Sequence, residues 1–196
     1  MRVGIFADSH DHLDHVRRAV DTFNEYACEL VVFAGDFVSP LVIPPLRNLR
    51  CPMIACFGDN DGNKVGIQGG MKIVGTLAEP PFGFVAKDGT KFLVTHMLDQ
   101  LKGYVDGSDV VIFAHTHRPS EVTDKHGRMF INPGETGGWF FREPNVTILD
   151  TQTRDICKVN LNPEMKMPLP QGPVALKADA ESPSSSDETT ESPSQS

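Results

Sequence analysis

Val3-Gly4-Ile5-Phe6-Ala7-Asp8-Ser9-His10 decides the reading of this chain. A short apolar run ends abruptly in a carboxylate, a hydroxyl and an imidazole. The run has the length of a buried strand. An amphipathic helix is expected next over residues 12–27, because Leu13, Val16, Val20, Phe23 and Ala27 recur at helical spacing. Leu30-Val31-Val32-Phe33-Ala34 reads as a second strand and Met53-Ile54-Ala55-Cys56-Phe57 as a third. Between them a short helix is expected over 40–49, with Pro44 and Pro45 as poor interior residues for it. This β-α-β-α-β alternation specifies an α/β fold with a parallel core.

Further along, the chain becomes richer in strands. Residues 82–86 and 91–95 flank Asp88-Gly89, a hairpin signal. Val110-Val111-Ile112-Phe113-Ala114 is another apolar run. Residues 119–124 and 128–132 flank a Lys125-His126-Gly127 turn, and 145–150 with 155–161 make a last hairpin. Two packed sheets with helices outside accommodate this number of strands. The pattern stops near Pro163. Residues 1–162 therefore read as one folded domain and 163–196 as an irregular to disordered acidic tail rich in Ser, Pro and Glu. Residues 181–196 contain no apolar side chain that could offset the entropy of ordering them.

The 196 residues carry a net charge of −8, which argues against long nucleic acids as partners, since phosphate-backbone binding rests on Lys and Arg. A small anionic substrate is compatible, because bound cations reverse the local field. Cys28, Cys51, Cys56 and Cys157 form no C-x-x-C pair and lie mostly in apolar segments, so they read as free thiols. Together with an N-terminus that has no signal-peptide pattern, this predicts a reduced, cytoplasmic protein. No apolar run is long enough to suggest a membrane span.

Five polar motifs carry the chemistry: Asp8-Ser9-His10, Gly35-Asp36, Gly58-Asp59-Asn60-Asp61, His96 and His115-Thr116-His117. Singly, each has an ordinary reading. The first is a plausible helix cap, the second a turn, the third a turn-rich loop, and a lone His96 a structural histidine. A buried strand ending in two histidines has little packing rationale. Ligand sites form at the carboxyl ends of strands in α/β sheets, so the five motifs are expected to meet in one crevice. Carboxylates and imidazoles together suit Mn²⁺, Fe²⁺, Ni²⁺ or Zn²⁺, and one bridging carboxylate is the usual means of holding two ions about 3.5–4 Å apart.

In this order, the D-x-H, G-D, G-N-x-D-like, H and G-H-x-H-like series resembles the calcineurin-like metallophosphoesterases, in particular their small prokaryotic single-domain phosphodiesterases. Supporting runs are Asp11-His12-Leu13, Phe37-Val38-Ser39 and Asn132-Pro133-Gly134-Glu135. The resemblance implies a four-layer α/β/β/α sandwich of two mixed sheets flanked by helices. It implies two divalent ions per chain, Mn²⁺ first, with Ni²⁺, Fe²⁺, Zn²⁺ or Mg²⁺ as further candidates. One ion would be held by Asp8, His10 and His117, the other by Asp59, His96 and His115, with Asp36 bridging. A hydroxide between the ions would attack a small phosphodiester in line. These seven residues are thus the expected catalytic and metal-binding set. The partners expected are a small phosphoester and, with the oligomeric state left open, a second copy in a homodimer.

The chain departs from the family pattern in four places. Asp59 stands where the family has a metal-binding Asn, and Asn60 where many relatives carry a general-acid His. Met97-Leu98 follow His96 in place of Gly-His, and Ala114 replaces a Gly. The alternative reading is a non-catalytic metal-binding scaffold for protein interaction, resembling the retromer metallophosphoesterase-like subunit.

Overall fold

Successive side chains of β1 (Arg2–Phe6) enter two different cores. Val3 and Ile5 point into a core between two sheets, whereas Phe6 joins a core packed against helices. The same alternation holds in β2 (Leu30–Phe33), where Leu30 and Val32 face the second sheet and Val31 and Phe33 the helices. Burial on both faces is why these strands are continuous apolar runs rather than alternating ones. The computed structural model describes residues 1–162, and the tail expected over 163–196 lies outside the described residues.

The first sheet has six strands in the order β11-β10-β1-β2-β3-β4. β1, β2, β3 (Met53–Cys56) and β4 (Gly75–Ala78) run parallel, and β10 (Asn145–Asp150) and β11 (Ile156–Asn160) add an antiparallel flank. The second sheet has five strands in the order β5-β6-β7-β9-β8. Its centre, β6 (Lys91–Val94), β7 (Val110–Ile112) and β9 (Met129–Asn132), is parallel, while β5 (Phe82–Val85) and β8 (Ser120–Thr123) are antiparallel edges. Both sheets are therefore mixed, as expected. Val3, Ile5, Leu30, Val32 and Cys56 from one meet Phe92, Val94, Ile112 and Ile131 from the other.

Helix α1 (Leu13–Glu25) buries Val16, Ala19, Val20 and Phe23, one stripe at helical spacing. His12 caps it by accepting the His15 amide on Nδ1, so Asp8-Ser9-His10 is not the cap. Over the expected 40–49 helix the chain forms a 3-10 turn, Pro40–Val42, and then α2 (Ile43–Leu46). Pro44 and Pro45 fall in the first turn of α2, where the missing N–H groups have no helical partner to lose.

The helix α3 (Lys64–Val74) and β4 after it have no counterpart in the sequence reading. Three glycines at 66, 69 and 70 mask the helix, since each lowers intrinsic helicity by about 1 kcal/mol relative to Ala. Packing compensates. A Cβ on Gly66 would lie 2.5 Å from the Pro40 ring, so the small residue permits close approach of α3 to the Pro40 turn. All three α-helices pack on the outer face of the first sheet. The helical element in the second half, among the described residues, is a 3-10 turn at Leu98–Leu101.

Candidate metal centre

All seven residues singled out in the sequence stand just beyond strand ends and converge on one crevice. Asp8 and His10 follow β1, Asp36 follows β2, Asp59 follows β3, His96 follows β6, and His115 and His117 follow β7. The site therefore draws on the carboxyl ends of parallel strands from both sheets. The Asp8 amide donates to Gly35 O at 3.0 Å and the His10 amide to Asp36 O at 3.2 Å, which ties the first two loops together.

The backbone is bent into the left-handed region at Asp8, His10, Asp36, His115 and His117, with φ between 42° and 68°. Such conformations for non-glycine residues cost of order 1–3 kcal/mol each and cluster where function fixes a side chain. Gly35 shows the same crowding. Its φ is 98°, and a Cβ there would meet His96 Nδ1 at 2.6 Å.

Two triads result. Asp8, His10 and His117 offer ligand atoms within 4.8 Å of one another, and so do Asp59, His96 and His115. Asp36 lies between them: its Oδ2 is 3.4 Å from His10 Nε2 and 3.5 Å from His96 Nε2. Asp8 Oδ1 is 3.9 Å from both His117 Nε2 and His96 Nε2.

The ring tautomers follow from their partners. His96 Nδ1 is 2.7 Å from the Ala34 carbonyl, which only accepts, so Nδ1 carries the proton and Nε2 offers a lone pair to the crevice. His117 Nδ1 is 2.7 Å from Glu135 Oε2 and donates to it, which likewise leaves Nε2 free to bind. Both Asp8 oxygens and His96 Nε2 are buried without a hydrogen-bond partner. His96 Nε2 does lie 2.8 Å from Asp59 Oδ1, but without hydrogen-bond alignment. An unpartnered buried carboxylate is costly. Burial, reinforced by the Asp36 carboxylate, pushes the Asp8 carboxyl up to about 8. Burial also lowers His10, against the pull of Asp36. A divalent cation in either triad would satisfy these atoms, and the donor set of carboxylate oxygens and imidazole nitrogens suits one.

Three residues outside the expected set hold the site in shape. Glu135 is fully buried and accepts from the Phe140 and Phe141 amides as well as from His117. Asn60 donates to both Asp36 oxygens, through its amide at 2.9 Å and its side chain at 2.8 Å. Asp61 accepts from the Val38 amide at 2.8 Å and the Gly58 amide at 2.7 Å, joining the loops that carry Asp36 and Asp59. The sequence signal for Glu135 was present: an acid directly after Asn132-Pro133-Gly134, at the end of a strand.

Two mixed sheets face to face, with carboxylates and imidazoles gathered at their parallel strand ends, define a protein of metallophosphoesterase fold. The chain belongs to the calcineurin-like phosphoesterase superfamily, whose domain model matches residues 1–154. It is 36% identical over 168 residues to a phosphodiesterase of Methanocaldococcus jannaschii, covering 82% of this chain and 99% of that protein. Among solved structures, an archaeal phosphodiesterase superposes with a TM-score of 0.75 at 32% identity, over 82% of this chain and 99% of the other. A double mutant of Vps29 from Entamoeba histolytica shares the fold at a TM-score of 0.56 and 17% identity, over 83% of this chain and 100% of its own. Among the described residues, no helix is long and apolar enough to cross a membrane.

Proposed function

We propose that this chain is a phosphodiesterase that hydrolyses a small phosphodiester at a centre of two divalent cations. The observation that carries the reading is the pair of triads on either side of Asp36. Asp8, His10 and His117 would hold one ion, Asp59, His96 and His115 the other, and Asp36 would bridge. Held by these residues, divalent cations would supply Lewis acidity, lowering the pKa of water toward neutrality and offsetting charge on the phosphoryl group.

The chain's own residues prepare the rest. Ala34 and Glu135 hold His96 and His117 in the tautomer whose Nε2 faces the crevice. Asn60 fixes the rotation of the Asp36 carboxylate. Mn²⁺ is the first candidate, with Ni²⁺, Fe²⁺, Zn²⁺ and Mg²⁺ as alternatives. The four unpaired cysteines suit a reducing cytoplasm. The scaffold alternative gives no reason for a complete set of aligned ligands with preset tautomers.

The test is turnover of bis(4-nitrophenyl) phosphate by chelated protein before and after adding Mn²⁺. Loss on chelation and return with Mn²⁺ supports the reading. Full activity in the chelated protein overturns it.

A further inference from the structure

Trp139, Phe140 and Phe141 are consecutive aromatic residues, and they stand 60%, 69% and 42% exposed beside the metal centre. Three large rings in water are unfavourable unless they have something to bind. These rings are held in place. The Phe140 and Phe141 amides donate to Glu135, the carboxylate that also orients His117. Trp139 Nε1 donates to His10 O at 3.2 Å, and its ring lies 4.9 Å from that of His12. The Phe140 ring lies 4.4 Å from the His117 ring. The aromatic loop is thus fastened to both histidines of the first triad.

A cavity of about 360 Å³ opens directly beside it, lined by His117, Arg118, Pro119, Phe141, Glu143 and Asn145. Its volume lies in the range of small-molecule sites. Phe141 and Pro119 give it apolar walls. The Arg118 guanidinium lies 5.1 Å from the Phe141 ring centroid, a cation over an aromatic face. Glu143 and Asn145 add polar groups at its edge. A flat ring could stack against Phe141 while its phosphate reaches the neighbouring metal centre.

We propose that the Trp139-Phe140-Phe141 loop and this cavity select phosphodiesters in which the arm retained on phosphorus after hydrolysis carries a flat aromatic ring. The inference rests on the phosphodiesterase reading above and names the substrate class of the same centre. The ring can be a plain aryl group or a nucleobase, and the shared chemistry is stacking, which tolerates either.

The experiment uses the full chain loaded with Mn²⁺ and three diesters that all release 4-nitrophenolate. Their retained arms are methyl, 4-nitrophenyl and thymidine. Each is assayed with wild type and with Phe141→Leu, which keeps the backbone N–H to Glu135 and removes the ring. The ratio of kcat/KM for the ring-bearing arms over the methyl arm should fall about tenfold in the variant, mainly through KM. A fall confined to the 4-nitrophenyl arm or to the thymidine arm identifies which ring the cavity takes. An unchanged ratio, or equal losses on all three diesters, overturns the inference while leaving the hydrolase reading intact.

Binding gives a second readout, because Trp139 is the single tryptophan of the chain. Its emission should be quenched by phenyl phosphate or adenosine monophosphate and not by ribose 5-phosphate. Quenching without turnover of any diester would sink the hydrolase reading and support the ring site. No quenching by either aromatic phosphate, or an emission shift that follows protein concentration alone, overturns the ring site in favour of a bare or self-associating patch.

Discussion

The two triads use the same chemistry and are built differently. In the first, Asp8, His10 and His117 all have positive φ, whereas in the second only His115 does. Asp8 is fully buried, and Glu135 fixes His117 from behind. In the second, His96 is as rigid as anything in the first, but its companions are open. The Asp59 and His115 side chains are 38% and 46% exposed. Asp59 Oδ1 already lies 2.8 Å from His96 Nε2 and 3.0 Å from His115 Nδ1. The first triad is thus a preset cage, and the second a more open rim, with Asp59 and His115 facing solvent. A preset cage loses little entropy on binding, so its ion should be held more tightly.

Asp36 is where this distinction can be broken most severely. Asp36→Ala removes the carboxylate both triads share, and Asn60 loses its acceptor. Bound metal should fall in both sites and turnover by about a thousandfold, the upper scale for loss of one preorganised electrostatic element. Circular dichroism should show the fold retained. Two tightly bound ions with normal turnover would contradict the bridging role.

Glu135→Gln separates the triads. An amide retains the shape but presents either an N–H₂ or a neutral oxygen to His117. Metal affinity at the first triad should drop about 10–100-fold, as when a carboxylate behind a ligating histidine is lost. The second triad should be unaffected. Equal weakening of both sites would mean that Glu135 acts through the fold instead.

Asp59→Asn sharpens the contrast from the other side. A carboxylate at this rim repels an anionic phosphodiester and withdraws net positive charge from the centre. At saturating Mn²⁺, kcat/KM on a phosphodiester should rise about tenfold, or about 1.4 kcal/mol in the barrier. A clear decrease would show that the charge of Asp59 is a positive element of the site.

The pH dependence of stability tests the burial of Asp8 in the first triad. The Asp8 carboxyl ionises near 3.9 when unfolded and holds its proton to about 8 in the metal-free fold. Between those values the folded state binds more protons than the unfolded one. The metal-free protein should therefore lose stability, and its Tm should fall, as pH rises from about 4 to about 8. With Mn²⁺ the trend should reverse, because the ion binds the ionised form. A flat or rising metal-free profile would show that Asp8 is not strained in this way.

What could be read from the sequence divides along physical lines. β1 and β2 were legible because both faces are buried, which leaves an unbroken apolar run. The seven site residues stood out as a set because most follow such a run directly, and a strand ending in His115-Thr116-His117 has little packing rationale. Helix α3 was not, since Gly66, Gly69 and Gly70 remove the helical signal, Gly66 and Gly70 in exchange for close packing on Pro40 and Ile43. Asn60 could be read only as a departure from the family. Its contact with Asp36 depends on how the loop after β3 folds back over the end of β2. The aromatic loop is likewise invisible without the fold, because nothing in Trp139-Phe140-Phe141 says that it will stand beside His10 and His117.

The most direct test is a calorimetric titration of the chelated chain with Mn²⁺. Two equivalents should bind with unequal affinity. His117→Ala should abolish the tighter step and Asp59→Ala the weaker one. A single equivalent, or two steps that respond alike to both substitutions, would contradict a centre built from one preset and one open triad around Asp36.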